Sequence, residues 1–483
     1  MDRLIHIFLL WIILGPYTLT AQSPLSAEKQ EVIQTLEDQK DTWSSTAQSI
    51  WTYAELGYQE NKSSDLLMTH LQEAGFKVDR AVAGMPTAFV ASYGQGHPVI
   101  GILAEFDALP GVSQAAVPYR KEREDCTSGH ACGHHLFGTG STAAAIAVKD
   151  WMAKNNIQGT IRLYGTPAEE GGAGKVYMVR EGLFDDVDAV LHWHPGNSNN
   201  AGAASCLAIK SALFKFHGIA AHAAGAPWRG RSALDGVEAM NDMINLMREH
   251  VPDMTRIHYV ITKGGEAPNV VPAYAEVNYY VRHPEMKVVH EIFERMVKAA
   301  EGAALGTGTT MEYEVTGGSY NLLPNAVLAQ KMYDNLSEIG GVKYDDAELA
   351  FAREIIKSYP DTEVDLKSAA EVSPFVVTDR AFPFSTDVGD VSWIVPTTGL
   401  STATWVPGTG AHSWQAVAAG GTTIGKKGMM VAAKTIACTA IDLFRNPEEL
   451  VKAKVELKER QGKDFHYEAL IGDGPPNLNY RGE

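Results

Sequence analysis

The sequence is poor in cysteine, in positive charge and in long apolar runs. Its 483 residues include four cysteines, which are too few for a disulfide scaffold of this size. The deficit of Lys and Arg gives a formal charge of -17, which argues against nucleic acid and anionic membranes as partners because both require clustered cations. The remaining composition, 45% hydrophobic and 20% charged, is that of a globular protein long enough for two domains.

The one strongly apolar segment lies at the N-terminus, over residues 4–14, and is followed by Gly15, Pro16 and a small-residue end at Ala21. This order predicts a secretory signal peptide over residues 1–21 and an exported protein, either periplasmic or extracellular. The alternative is a membrane anchor, but the run has roughly half of the ~20 residues that span a bilayer. We therefore expect a mature form without a membrane segment.

Strand and helix patterns alternate over the first two hundred residues. Four short apolar runs predict strands, and the amphipathic segments near them predict helices. The strands are 87–93, 99–105, 161–165 and 187–193, and the helices are 63–74, 139–154 and 173–183. The pattern predicts an α/β fold with a mostly parallel sheet and helices on both faces. Ligands of such sheets gather at the carboxyl ends of the strands.

From about Cys206 the pattern changes to strand, helix, strand, strand, helix, strand. This order is typical of a compact two-layer βαββαβ domain, and it predicts an insertion into the first domain. After residue 465 the composition favours a surface tail. The predicted ranges are 22–206 and 323–465 for the two parts of the catalytic domain, 207–322 for the inserted domain and 466–483 for the tail.

A glycine-bearing segment, Ser128-Gly-His-Ala-Cys-Gly-His-His-Leu136, concentrates one cysteine and three histidines. Cys132 and His134 have the ligand softness that zinc, cobalt or manganese sites use. One alternative is a set of exposed histidines, and another is a disulfide between Cys126 and Cys132. The position of Cys132 inside the histidine cluster favours a thiolate ligand.

Adjacent carboxylates follow in the segment Gly165-Thr-Pro-Ala-Glu-Glu-Gly-Gly-Ala-Gly174. Side chains of neighbouring residues in extended chain point in different directions, so one of Glu169 and Glu170 can bind metal while the other acts as a general base. The alternative is a helix N-terminus with favourably placed acids. This motif alone favours that alternative.

Two further histidine motifs are His192-Trp-His194-Pro-Gly and Gly408-Thr-Gly-Ala-His412-Ser. A lone histidine is more often structural than functional, so His412 by itself indicates little. Together the four motifs offer enough His, Glu and Cys side chains for two metal ions about 3.5 to 4 Å apart.

The combined motifs resemble those of the aminoacylase-like dinuclear metallopeptidases, in particular the amidohydrolase branch that contains p-aminobenzoyl-glutamate hydrolase subunits. The resemblance extends over nearly the whole mature chain. Its motifs are Phe106-Asp-Ala-Leu-Pro110, His130-Ala-Cys-Gly-His134, Ala168-Glu-Glu-Gly-Gly172, Trp193-His-Pro195, Ala221-His-Ala-Ala224, Pro268-Asn-Val-Val-Pro272 and Ala411-His-Ser413.

The resemblance implies two divalent metal ions, zinc or manganese, bridged by a thiolate, with Glu169 as the general base. The implied metal ligands are Cys132 as the bridge, with His134, Glu170, His194 and His412.

The resemblance also gives the inserted domain a role in dimerisation or as a lid. It implies that His222 reaches into the site of a partner subunit and stabilises the oxyanion, so that catalysis needs a homodimer. Asn269 and Arg282 match positions that hold the substrate, and Arg282 is expected to bind its terminal carboxylate. Without the resemblance, a strand-edge histidine and an exposed arginine would be the simpler interpretations.

The sequence departs from the family pattern at three points. His135 stands where many relatives have an acid or amide, so the hydrogen-bond partner of the metal loop is expected to differ. Glu105 stands where the wider family has a metal-binding histidine, which assigns Asp107 to orienting the site rather than to ligation. His192 and His194 compete for one ligand position, and the Trp-His-Pro pattern favours His194.

The expected reaction is hydrolysis of the amide bond of an N-acyl-amino acid, either aminobenzoyl-glutamate or another aromatic acyl-Glu or acyl-Asp. One alternative is a dipeptidase or carboxypeptidase that uses the same site. Another is a catalytically silent metal- or ligand-binding protein. The presence of Glu169 argues against the silent protein, because metal storage does not require a second acid that stays unligated.

Overall fold

The computed structural model describes residues 25–359 and 363–482, so the predicted signal peptide lies outside the described residues. Twelve strands and thirteen α-helices form within these ranges. Across the same residues, no helix combines the length and the apolar character that a membrane crossing requires.

The elements follow one another in two groups, a large domain and an inserted segment with its own sheet. The strands are β1 (Lys77–Arg80), β2 (Phe89–Gln95), β3 (Val99–Ala104), β4 (Gly159–Gly165), β5 (Ala189–Gly196), β6 (Ala203–Cys206), β7 (Ala208–His217), β8 (Arg256–Lys263), β9 (Tyr274–His283), β10 (Thr310–Ser319), β11 (Val377–Phe382) and β12 (Thr397–Ala403). The helices are α1 (Ala27–Asp38), α2 (Lys40–Tyr53), α3 (Asn61–Glu73), α4 (His134–Asn155), α5 (Gly174–Arg180), α6 (Ala233–Met247), α7 (Met286–Thr307), α8 (Ala326–Ile339), α9 (Asp346–Ile356), α10 (Val388–Ile394), α11 (Trp414–Gly420), α12 (Thr423–Arg445) and α13 (Pro447–Gln461).

The large sheet has six strands in the order β1-β2-β4-β3-β5-β12. β4, β3, β5 and β12 run parallel, whereas β2 is antiparallel to β4 and β1 is antiparallel to β2. The prediction of an α/β fold with a mostly parallel sheet is confirmed. The sequence interpretation missed β12 because its threonines hide the strand pattern. The hydroxyl of Thr402 donates to Gly428 O, so this threonine is satisfied in the buried strand.

Successive side chains of β5 point to opposite faces of the sheet, so Trp193 lies on a different face from the histidines beside it. Trp193 is fully buried, lies 5.8 Å from the ring of Phe137 on α4 and donates its indole N–H to Phe137 O. His192 and His194, one residue to either side of Trp193, therefore point to the opposite face of the sheet.

The inserted segment forms a second sheet in the order β10-β7-β9-β8, with every neighbouring pair antiparallel. α6 and α7 cover one face, where the core includes Val277, Tyr279 and Val281 of β9. The residues between them, such as Tyr280 and Arg282, point to the other face by the same alternation. The element order matches the predicted βαββαβ arrangement.

The segment after α13 differs from the surface tail that its composition predicts. Leu470 and Ile471 are buried, and the hydroxyl of Tyr467 donates to the buried carboxylate of Asp390. Farther along the chain, Tyr480 contacts a loop of the large domain. Most residues between these points are exposed, which explains why their polar composition does not reveal the anchors.

Candidate metal centre

The four parallel strands end at one edge of the large sheet, and the predicted site residues lie at these ends. The residues are Glu105 and Asp107 after β3, Glu169 and Glu170 after β4, His194 near the end of β5 and His412 in the loop after β12. The topology thus brings together residues that are as far apart in sequence as Glu105 and His412.

The Cys-Gly-His motif depends on its glycine. Gly133 has a φ of 80°, and a Cβ atom there would lie 2.6 Å from the Cβ of Pro195. Only glycine fits this left-handed position against Pro195. α4 consequently begins at His134 rather than at residue 139, and both Cys132 and His134 face the edge of the sheet.

Two groups of candidate ligand atoms share the sulfur of Cys132. His134 and His194 form one group with it, and Glu170 and His412 form the other; the atoms of each group lie within 4.8 Å of one another. Thiolate, imidazole and carboxylate are the usual ligands of zinc and related metals. These five side chains, which the family resemblance implies as ligands, could hold two divalent metal ions.

The hydrogen bonds of the two buried histidines leave a nitrogen of each available as a ligand. His134 Nδ1 lies 2.8 Å from Asp107 Oδ1, and His194 Nδ1 lies 2.7 Å from the carbonyl oxygen of Pro195. Because both partners are acceptors, Nδ1 carries the proton in each ring. In the neutral form of each ring the lone pair is therefore on Nε2, as in metal sites where an acceptor fixes the histidine tautomer.

Unsatisfied buried atoms in the same region test whether a cation fits. Glu105 Oε2, His134 Nε2 and Glu170 Oε1 are buried and have no hydrogen-bond partner. His134 Nε2 is 3.1 Å from Glu105 Oε2, and His412 Nε2 is 3.2 Å from Glu170 Oε1. Neither contact has the geometry of a hydrogen bond, so Glu105 Oε2, His134 Nε2 and Glu170 Oε1 stay unsatisfied. Orphaned ligand atoms that face one another are what a metal site provides, so the residues present fit divalent metal ions.

The two adjacent glutamates have opposite electrostatic environments. Burial raises the pKa of Glu169 well above its usual value, and the charges of Glu105 and Glu170 raise it further. Burial would also raise the pKa of Glu170, but the adjacent His412 and the charge of His134 outweigh it and lower that pKa. Glu169 therefore holds a proton more readily than Glu170, as expected for a base beside a ligand.

Burial raises the pKa of the Cys132 thiol, so a thiolate forms there only with a cation beside it. All four cysteines are free thiols, including Cys126, the partner considered for a disulfide.

Asp107 links the two metal-ligating segments. Its Oδ1 is the partner of His134 Nδ1, and its Oδ2 accepts the backbone N–H of Glu170 at 2.9 Å. Both carboxylate oxygens are thus engaged in hydrogen bonds with candidate ligand residues. This geometry corresponds to the orienting role that the sequence assigns to Asp107.

A buried ion-pair chain behind His134 was missed by sequence reasoning. Lys175 is fully buried on α5, and its Nζ lies 2.6 Å from Glu105 Oε1 and 2.6 Å from Asp387 Oδ1. Burial would lower the pKa of Lys175, but the charges of Asp387 and Glu105 outweigh it and raise that pKa. The only signal in the sequence was a lysine in an otherwise apolar helix, Gly174-Lys-Val-Tyr-Met-Val.

The remaining histidines near the motifs have structural roles. His130 Nε2 lies 3.1 Å from Ile50 O, and His135 Nε2 lies 3.1 Å from Gly420 O, so each ring donates to a backbone carbonyl. His192 belongs to none of the candidate metal groups among the described residues. Of the two competing histidines, the structure brings His194 to Cys132.

The predicted residues of the inserted segment lie apart from this cluster. His222 is exposed, and its Nδ1 accepts the backbone N–H groups of Ala224 and Gly225. Asn269 lies on the adjacent exposed loop. A β-bridge between His222 and Val270 joins this loop to that of His222.

Arg282 on β9 is half-buried, with its Nε unpaired and its guanidinium 5.9 Å from the ring of Tyr280.

Comparison with known proteins identifies the family. The model of peptidase family M20/M25/M40 matches residues 101–384. The chain belongs to this family. It is 43% identical to one of the p-aminobenzoyl-glutamate hydrolase subunits of Escherichia coli (strain K12), over 88% of this chain and 93% of that protein. Family membership confirms the resemblance and the prediction of an enzyme that hydrolyses amide bonds.

Two more distant relatives extend the comparison. The chain is 28% identical to the Xaa-Arg dipeptidase of Homo sapiens, over 90% of this chain and 93% of the dipeptidase. The crystal structure of a dinuclear metal binding peptidase of the M20 family from Bacillus subtilis shares the fold, with a TM-score of 0.55 and 18% identity over 86% of this chain and 99% of that one.

Proposed function

We propose that the protein hydrolyses the amide bond of an N-acyl-amino acid, with an aromatic acyl group on glutamate or aspartate. The observation that carries the proposal is the pair of candidate ligand groups that share Cys132. Glu169 lies beside them, in a third candidate group with Glu105 and His134. The name of the Escherichia coli relative, a p-aminobenzoyl-glutamate hydrolase, supports this substrate class.

Cys132, His134, His194, Glu170 and His412 would hold two divalent ions, for which zinc and manganese both suit the donor set. Such ions acidify water and polarise a carbonyl oxygen. Asp107 keeps His134 in the ligating tautomer and fixes the backbone of Glu170.

Glu169 is the proposed general base. Its raised pKa suits a group that takes a proton from the attacking water and then delivers it to the leaving amine. A carboxyl of ordinary acidity would accept the proton less readily and would be a weaker base.

We infer that a second polypeptide completes the site with its His222. Because Nδ1 of His222 accepts two backbone N–H groups, its proton lies on Nε2, which is a donor suited to a developing oxyanion. Asn269, on the adjacent loop, and Arg282 would hold the substrate, with Arg282 at its carboxylate.

The partner is a second copy of this chain or a related protein, and the Escherichia coli relative, which is named as one of the subunits of its hydrolase, supports either assembly. The pattern of residues 1–21 supports export of this hydrolase to the periplasm or the cell exterior.

A dipeptidase that uses the same site is the second candidate, and the similarity to the human Xaa-Arg dipeptidase favours it. A dipeptidase requires a free α-amine on its substrate, whereas the α-nitrogen of an N-acyl-amino acid is blocked by the acyl group. The two substrate classes therefore separate the candidates.

The test is hydrolysis by the purified mature protein, stripped of metal and then resupplied with zinc or manganese. The substrates are aminobenzoyl-glutamate, other N-acyl-glutamates and N-acyl-aspartates, and dipeptides ending in arginine. We expect metal-restored cleavage of the acyl-amino acids. Cleavage of the dipeptides alone would replace the proposal with the dipeptidase, and no cleavage with two metals bound would favour a silent binding protein.

A further inference from the structure

The loop that carries the two glutamates, residues 168–173, is called here the glutamate loop. Ala168 and Ala173 at its ends have φ angles of 56° and 58°, in the left-handed region that residues with a Cβ rarely adopt. Such backbone conformations persist only where surrounding contacts impose them. The conformation of the loop must therefore be fixed from outside.

Three groups of the large domain supply part of this support. Glu60 Oε1 accepts the backbone N–H of Ala168 at 2.9 Å, and the hydroxyl of Tyr58 donates to Gly172 O at 2.6 Å. The N–H of Glu170 is held by Asp107. These contacts fix both ends of the loop and one side of the Glu170 backbone.

The chain segment after α13 binds the carbonyl group of Glu170. The hydroxyl of Tyr480 donates to Glu170 O at 3.1 Å, and the guanidinium of Arg481 donates to the same oxygen. The rings of Tyr480 and Tyr58 pack edge to face with centroids 5.6 Å apart, and the guanidinium of Arg481 lies 4.9 Å from the Tyr480 ring. Two donors from one dipeptide thus converge on a single carbonyl.

Contacts along the segment after α13 hold Tyr480 and Arg481 in place. Arg180 on α5 donates to the carbonyl oxygens of Gly472 and Gly474, both at 2.8 Å. Close to the dipeptide, Gly57 has no side chain, and a Cβ there would collide with the hydroxyl of Tyr480. The approach of Tyr480 to the glutamate loop therefore depends on contacts along the segment and on the space that Gly57 leaves.

We propose that Tyr480 and Arg481 are positioning residues for the reaction. They fix the peptide between Glu170 and Gly171, and with it the directions of the Glu169 and Glu170 side chains. The proposal rests on the proposed role of Glu169 as the base. Neither residue needs to touch the substrate, since both act through the backbone of the glutamate loop.

The test uses the metal-loaded full-length protein with Tyr480→Phe, Arg481→Ala, the double variant and Arg481→Lys. Arg80→Ala is the matched control, because Arg80 forms an exposed ion pair with Asp65. kcat and KM are measured separately on the acyl-amino acid, and amide hydrogen exchange is measured for a peptide that covers the glutamate loop.

We expect the double variant to lower kcat about tenfold or more, because small misplacements of catalytic groups are costly. KM should change by less than about twofold, because neither residue needs to touch the substrate. Exchange should accelerate in the glutamate loop while the core sheet stays protected. Arg481→Lys should keep most of kcat, since an ammonium can donate to the same carbonyl.

Loop exchange and kcat equal to those of Arg80→Ala would overturn the proposal. Faster exchange throughout the chain would also overturn it, because the two residues would then support global stability only. Loop exchange is read without substrate, so it decides the proposal even if the wild-type protein fails to hydrolyse acyl-amino acids, which would instead refute the proposed function.

Discussion

The metal centre of the large domain and the exposed loops of the inserted segment differ in how completely one chain builds them. In the metal centre, His134 and Asp107 are fully buried and each is hydrogen-bonded to a defined partner. In the inserted segment, His222 and Asn269 are exposed, and the hydrogen bonds of the His222 side chain stay within its own loop.

We interpret this difference as the contribution of two subunits to one proposed site. A preorganised site needs its reacting groups fixed in place before the substrate arrives. One chain fixes the proposed ligands and the proposed base in this way, but it leaves the proposed oxyanion donor, His222, in solvent. We infer that the donor acts in the site of another subunit. The metal centre, called here the buried half of the site, and the loops of His222 and Asn269, called the exposed half, would then meet only in the assembly.

Glu169→Gln is expected to have the largest effect on the buried half. It removes the proton carrier while keeping the shape, so kcat should fall roughly 10²- to 10⁴-fold. Metal content, measured by mass spectrometry, should stay at the wild-type level because Glu169 is not among the five proposed ligands. Retained activity would show that another group is the base, and lost metal would show that Glu169 is a ligand.

Lys175→Met tests whether the buried ion pairs of Lys175 with Glu105 and Asp387 stabilise the folded protein. The variant leaves Glu105 and Asp387 without their common cation, and breaking a buried pair of this kind costs about 3–5 kcal/mol. The measurement is the free energy of unfolding in denaturant. Lys77→Met, which breaks an exposed pair with Asp79, is the control and should change stability little. Equal effects of the two variants would contradict the account.

His222→Ala tests the exposed half. Loss of an oxyanion donor should lower kcat roughly 10²- to 10³-fold, while metal content and thermal stability stay unchanged because the side chain is exposed. His217→Ala, which replaces another exposed histidine of the same domain, should leave kcat unaltered. If both variants keep wild-type kcat, the exposed half has no catalytic role.

Arg282→Lys should have the smallest effect. A lysine keeps the charge but loses the planar fork, so KM for an acyl-glutamate should rise about tenfold with kcat less affected. Arg256→Lys is a close control, because Arg256 lies directly across from Arg282 on β8. An equal change in both variants would mean that Arg282 does not bind the substrate carboxylate.

The sequence was most informative where chemistry and strand endings coincide. Motif density identified Cys132, His134 and the paired glutamates, and apolar runs identified four strands of the large sheet, β2 to β5. The rule that ligands gather at the carboxyl ends of parallel strands then explained why these distant motifs meet.

Other features depend on contacts that no local pattern encodes. β12 was missed because its threonines are satisfied by backbone partners that only the folded chain provides. Lys175 and Asp387 lie more than two hundred residues apart, so their ion pair has no local signature. Tyr480 was hidden in a polar segment whose few anchors are separated by exposed residues.

The most direct test of the division between subunits is a mixing experiment. Glu169→Gln and His222→Ala proteins are each purified, dissociated, mixed in equal amounts and reassembled. A mixed dimer contains one site with an intact Glu169 from one chain and an intact His222 from the other, so activity should return to about a quarter of the wild-type value. Activity that stays at the sum of the two separate variants would contradict a site shared between subunits.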